Sequence, residues 1–161
     1  MDNTTTEAPK TVIEDIPAID LMKVVHLGRD FHQESSFRRI SFDEGILINF
    51  LSAAIVNDSY YLRGAYHRGL LTGVLVGYLT PYVFSQELHA VETALYVIPD
   101  KRGSSAAFKL IKNFEQWAIS KDAREVIITI RSDINKHRVT KLYNKLGFQS
   151  EGSFHSKIIK E

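Results

Sequence analysis

The sequence predicts an α/β protein, an α+β mixed sheet with helices on both faces, in the order β-α-α-β-β-β-α-β-α-β-β. Three observations carry this expectation. Residues 60 to 98 are dominated by β-branched and aromatic runs separated by turn signals. Apolar residues recur at helical spacing on either side of that block. EVIITI, residues 125 to 130, is a short apolar run of the buried-strand type, placed between two helical segments.

Each element follows from local signals. Thr11 to Ile13 forms a short first strand. Asp15 is a candidate N-cap with Pro17 in the first turn, opening a helix with Ala18, Leu21, Met22 and Val25 on one face. DFHQESSFRR, residues 30 to 39, breaks that helix in a polar loop. Ser41 and Glu44 have capping-box spacing, and Ile46, Leu47, Phe50, Leu51 and Ala54 follow as a second amphipathic helix. YYLRGAY and LLTGVLVGYL flank His67-Arg68-Gly69 and read as a hairpin, with LHAVETALYVI (88 to 98) as the third strand of an antiparallel meander. A helix then carries Ala107, Leu110, Ile111, Phe114, Trp117 and Ala118 on one face. The last helix presents Val139, Leu142, Tyr143 and Leu146, and Gly147 stops it. A closing strand or hairpin is expected from Phe148 to Ile159. The Thr-rich residues 1–10 read as a disordered tail before a single domain spanning residues 11–161.

Composition narrows the function. The 161 residues are enough for one domain with a real core. The formal net charge is +1, too small for a dedicated nucleic-acid binder, so no nucleic-acid partner is expected. With no cysteine, thiol catalysis, disulfides and Cys-ligated zinc are excluded, and the six histidines show no pair at ligand spacing, so no metal is expected. MDNTTTEAPK lacks the apolar core of a secretory signal, and no run approaches the eighteen or so apolar residues of a membrane span. These features suit a cytoplasmic protein with no membrane partner.

The most informative stretch is PDKRGSSAA, residues 99 to 107, at a strand-to-helix junction. Free backbone N–H groups at a helix N-terminus attract anions, and small side chains let a phosphate approach. Gly103, Ser104, Ser105, Ala106 and Ala107 are five small residues in succession, and Arg102 adds a cation. An ordinary helix start, with serine caps and early alanines, accounts for the same residues. Glu92 is the only carboxylate within residues 88 to 98, four before Tyr96, so the two are expected on one strand face. A charge in a central strand is costly unless paired or functional. A salt bridge to Arg63 is the bland account, and His89 on the opposite face is the competing base.

LYVIPDKRGSSAAFKLIKNFEQWA resembles motif A of the GNAT acyltransferases, whose pattern Q/R-x-x-G-x-G/A reads here Arg102-x-x-Ser105-x-Ala107. KLYNKLGFQSEG is similar to the family's closing motif, and element order matches over residues 11 to 160. The Arg-Gly-Ser-Ser variant looks most like small bacteriophage-encoded members.

The resemblance implies an acetyl-CoA-dependent N-acetyltransferase acting on a primary amine by direct attack in a ternary complex. A scaffold kept as a catalytically inactive binding protein is the alternative. It implies that Leu95, Tyr96 and Val97 pair with the pantetheine arm, and that the N–H groups from Arg102 to Ala107 hold the pyrophosphate. Ser105 departs from the family's glycine but offers a hydroxyl to phosphate. Tyr143 takes the place of the tyrosine that protonates the departing thiolate, which a phenol of pKa about 10 can do if it lies near the sulfur. Tyr143 also falls on the apolar face of its helix, where a core tyrosine is unremarkable. Asn135 resembles the cofactor-contacting asparagine, although its eight-residue spacing to Tyr143 leaves Lys136 as a contender. Glu92 is the candidate base or water relay. His32, Glu34, Phe37 and Arg38, with Tyr82 and Phe84, are the expected acceptor lining, and Glu34 would suit a cationic amine. Closing strands that pair between subunits would make a homodimer.

Overall fold

The computed structural model describes residues 10–131 and 135–159. The expected tail, residues 1–10, lies outside the described residues except for Lys10. The sheet has five strands in sequential order, β1 (Thr11–Asp15), β2 (Tyr60–His67), β3 (Leu70–Pro81), β4 (Leu88–Val97) and β5 (Ala123–Ile127). β1 to β4 form an antiparallel meander, and β5 joins β4 in parallel. The parallel step needs a crossover, which α3 (Ala106–Ser120) supplies. The β2–β3 hairpin turns through Arg68 and Gly69 at φ 53° and 75°, the left-handed pair that a tight two-residue turn requires.

Helices cover both faces. α1 (Leu21–Glu34) and α2 (Glu44–Val56) pack Val24, Val25, Leu27, Leu51 and Ala54 against Leu62, Val74, Val76 and Tyr96. On the other face α3 packs Leu110, Ile111, Phe114 and Ala118 against Tyr61, Leu75 and Ala90, and α4 (Lys136–Lys145) adds Tyr143. β3 is therefore covered on both sides, and residues 72–77 are continuously buried. Gly77 is required there: a Cβ would stand 2.7 Å from the Phe114 ring and 2.8 Å from the Val91 carbonyl.

Three local expectations are corrected. Asp15 does not cap α1. It stays in β1 opposite Arg63, with its carboxylate 2.7 Å from Arg63 Nε, and α1 begins after a 3-10 turn at Ala18–Asp20. The cap of α2 is Asp43 rather than Ser41: its Oδ1 accepts from the Ile46 N–H at 3.0 Å, starting the helix where that donor needs a partner. Helix α1 also runs on to Glu34 through the expected break, because Phe31 packs on the core and Glu34 finds partners across the sheet.

The closing strands are the larger correction. Residues 148–159 form no strand and pair with none of the five. The segment QSEGSFHSK offers Phe154 as its one large apolar side chain, and Gly152 sits at φ 122°, so no alternating face is available to bury. Phe148 is held instead by its N–H donating to the Tyr143 carbonyl at 3.0 Å.

Candidate active site

The site is built on a fork in the sheet. β4 and β5 are paired only as far as Val91 and Ile127, while β4 continues to Val97 and the other arm leaves as residues 128–131. At this point β4 also carries a bulge: Gly77 faces Glu92 and Val76 faces Ala94, so Thr93 is an extra residue. The bulge reverses side-chain parity. Ala90 belongs to the α3 side of the sheet and Tyr96 to the α1 side, although an even spacing in a regular strand would put them together. Glu92, opposite Gly77, therefore does not share a face with Tyr96, contrary to the expectation from spacing. No periodicity rule could have located that bulge.

The carboxylate of Glu92 bridges the fork. Its Oε2 accepts from the Thr129 N–H at 3.2 Å and from Thr129 Oγ1 at 3.4 Å. The side chain is 6% exposed, and burial pushes its pKa from 4.5 up to about 7 against the opposing pull of the Thr129 donors and the Arg131 charge. Tyr143 donates from its hydroxyl to the Thr129 carbonyl at 3.4 Å. Burial, then the Glu92 charge, holds the phenol above its ordinary value, so it stays protonated at neutral pH. Glu92, Thr129 and Tyr143 thus form one cluster, with a carboxyl that can exchange a proton near neutrality beside a phenol that keeps its own.

A cleft of about 340 Å³ opens from this cluster. Glu34, Glu92, Leu95, Tyr96, Val97, Arg102, Gly103, Ser104, Ala107, Asn135 and Tyr143 line it, among the residues singled out from sequence. Ser105 and Ala106 do not: Ser105 is the exposed N-cap of α3, and Ala106 is buried in the core beneath it. Asn135 sits at φ 56° at the start of α4, and Lys136 is not among the lining residues.

The α3 N-terminus supplies a sparse set of free donors. The Arg102 N–H goes to the Pro99 carbonyl at 3.1 Å, that of Ser104 to the Lys101 carbonyl at 3.2 Å, and that of Ala106 to Ser104 Oγ at 3.2 Å. Among the described residues, the N–H groups of Gly103, Ser105, Ala107 and Phe108 have no acceptor. Gly103, at φ 88°, leaves room for Arg138: a Cβ there would stand 2.9 Å from its Nη2. Arg102 is committed elsewhere, with Nη2 2.5 Å from Glu34 Oε2 and Nε donating to the Val97 carbonyl at 2.9 Å. The Tyr96 hydroxyl donates to the other oxygen of Glu34 at 2.8 Å. Glu34 thereby ties α1 to the loop before α3.

Other expected residues stand apart. His32 and Arg38 line a separate surface depression with Arg29, Gln33, Phe42 and Glu44, and His32 Nε2 lies 2.7 Å from the Ile40 carbonyl. Phe37 touches the cleft region through Arg131, whose guanidinium lies 5.0 Å from its ring centroid. His89 stacks on Tyr82 at 4.3 Å, and its Nδ1 is buried without a partner; it does not line the cleft. Tyr82 bonds Glu125 and Phe84 is exposed, so neither reaches the site. Arg63 pairs with Asp15 and Asn113, not with Glu92. Sequence reasoning missed Phe31, Lys101, Thr129, Arg131 and Arg138. Nothing local in the sequence assigned Arg138 to the α3 loop. Among the described residues no cluster of His, Asp or Glu could hold a metal.

The cleft thus lies in a forked mixed sheet, with a helix N-terminus and basic side chains at the mouth of the fork. A model of the acetyltransferase (GNAT) family matches residues 27–148. The chain belongs to that family. No protein of curated function matches it significantly in sequence. Among solved structures it is similar to a transcriptional regulator from Bacillus halodurans C-125 (17% identity, 93% of this chain and 100% of that one, TM-score 0.76). The aminoglycoside N-acetyltransferase AAC(6')-Iy in complex with CoA gives 15% identity over 97% of this chain and 99% of its own, with TM-score 0.76. An aminoglycoside acetyltransferase from an uncultured soil metagenomic sample, in complex with sisomicin, gives 19%, 94%, 97% and 0.70. At these identities the likeness is one of fold.

Proposed function

We propose that this chain is an N-acetyltransferase that moves an acetyl group from acetyl-CoA to an amine bound in the same complex. The observation that carries the reading is the fork. Residues 92–97 of β4 have no β5 partner, and a buried carboxyl and a buried phenol meet where the pairing ends. The open edge at Leu95, Tyr96 and Val97 can pair with the amide groups of a pantetheine arm. The N–H groups of Gly103, Ser105, Ala107 and Phe108, with Lys101 and Arg138 nearby, suit a pyrophosphate. Asn135 borders the same mouth of the cleft. The family membership and the neighbour solved with CoA support the same co-substrate.

Glu92, as carboxylate, accepts a proton from the ammonium form of the acceptor, directly or through a water. The neutral nitrogen attacks the acetyl carbonyl, so that a C–N bond forms and the C–S bond breaks. Tyr143 gives its proton to the departing thiolate, and the proton that the new amide nitrogen sheds restores the phenol. No metal enters this scheme. The neighbours named as aminoglycoside acetyltransferases make a polycationic amine one acceptor to test.

Calorimetry with acetyl-CoA tests the first half. Binding is expected, and Ser105→Glu should weaken it by at least tenfold, since it sets a carboxylate against the phosphates at the helix N-terminus. Thiol release with an amine panel tests the second half. Absence of acetyl-CoA binding would overturn the enzyme reading, and binding without turnover on any amine would favour an inactive binding protein.

A further inference from the structure

Arg131 lines the cleft, and among the described residues its guanidinium is held without an acid. Its central carbon lies 5.0 Å from the ring centroid of Phe37 and 3.8 Å from that of Phe154. The first ring follows α1 and the second belongs to the C-terminal segment, so two separate parts of the chain converge on one cation. Its carbonyl accepts from the Ser36 N–H at 3.0 Å, which pins the splayed arm to the turn after α1.

Among the described residues no carboxylate stands within ion-pair distance of Arg131, and its side chain makes no hydrogen bond. The contrast with Arg102, another arginine lining the cleft, is direct: Arg102 is consumed by Glu34 and the Val97 carbonyl. Lys101 and Arg138 belong to the opposite end, by the α3 loop. Aromatic faces stabilise a guanidinium through its plane and leave its in-plane N–H fork open. That fork matches a carboxylate in a bidentate pair, and a cleft wall is where such a pair strengthens. Glu92 bonds Thr129 across the fork, two residues before Arg131, and stands close enough for the Arg131 charge to act on it.

We propose that Arg131 receives the carboxylate of the acceptor, so that the substrate is an amino acid or amino-acid-like amine rather than a polycation. The proposal rests on the acyl-transfer reading: the amine faces Glu92 and the carboxylate faces Arg131. Glu34, already paired with Arg102 and Tyr96, is not the group that selects the acceptor's charge.

The test compares free amino acids with their carboxamides, and both with a polycationic aminoglycoside, by thiol release at saturating acetyl-CoA. The acid should exceed its amide by about 10- to 100-fold in kcat/KM, mostly through KM. Arg131→Met should bring each pair to within about twofold, and Arg131→Lys, which keeps charge but loses the fork, should fall between. Equal use of acid and amide by the unaltered protein, or preference for the aminoglycoside, overturns the proposal. A second arm needs no turnover: calorimetry with N-acetyl amino acids and their amides should show the same preference, abolished in Arg131→Met. Its absence in the unaltered protein also overturns the proposal. Acetyl-CoA binding, measured separately, reports on the acyl-transfer reading alone.

Discussion

Replacing Glu92 with glutamine removes one buried charge and should change how the protein's stability depends on pH. The carboxyl is 6% exposed and has two long donors, the Thr129 N–H at 3.2 Å and Oγ1 at 3.4 Å. Those donors do not compensate for lost water, and the pKa rises from 4.5 to about 7. A carboxyl whose folded pKa is raised favours folding fully below the unfolded value. That contribution is lost as pH rises through 4.5 to 7, where the folded state must carry a charge that burial resists. Moving the midpoint that far corresponds to ~3 kcal/mol. Urea unfolding from pH 4 to 8.5 should show the unaltered protein losing about this much relative to Glu92→Gln, with the variant the more stable of the two at pH 8. Parallel stability curves for the two proteins would refute the burial argument. The same titration bears on catalysis: kcat/KM should rise with pH through about 7 as the carboxylate forms, and Glu92→Gln should lack that limb.

Two further substitutions probe the rest of the cleft. Tyr143→Phe should lower kcat by about 100-fold or more while acetyl-CoA affinity changes less than about threefold, since only the proton donor to the thiolate is lost; equal turnover would remove Tyr143 from the mechanism. Gly103→Ala forces a side chain into φ 88° at a cost of roughly 1–2 kcal/mol and pushes the Arg138 guanidinium from the α3 loop. Calorimetry should record about a tenfold weaker acetyl-CoA complex, and thermal unfolding a midpoint lower by several degrees.

Much of the fold was legible because its signals are local. The Arg68-Gly69 turn, the apolar face of α3 and the stop at Gly147 depend on neighbours within a few residues, and all stand where the pattern placed them. The caps of α1 and α2 shifted because several acidic or hydroxyl residues competed for each start; Arg63 holds Asp15 in the sheet before α1, and Asp43 takes the Ile46 N–H at α2. The closing segment misled because a Gly-Phe step implies a strand by resemblance, whereas its own residues carry too little apolar surface to hold one.

The site divides along the same line. Tyr143, Glu92 and the small residues from Gly103 to Ala107 were visible as residue types in telling positions. Thr129, Arg131 and Arg138 were not, because each matters through a partner distant in the chain: Glu92, Phe154 and Gly103 respectively. Sequence by itself determined the meander, the crossover helix and the anion-friendly turn, since these follow from periodicity and backbone preference. Tertiary structure alone decided where β4 bulges at Thr93, which face Glu92 takes, and which cleft arginine pairs with a carboxylate among the described residues. Those outcomes depend on register between strands and on which charges find each other first in space, and neither is encoded within any single stretch of chain.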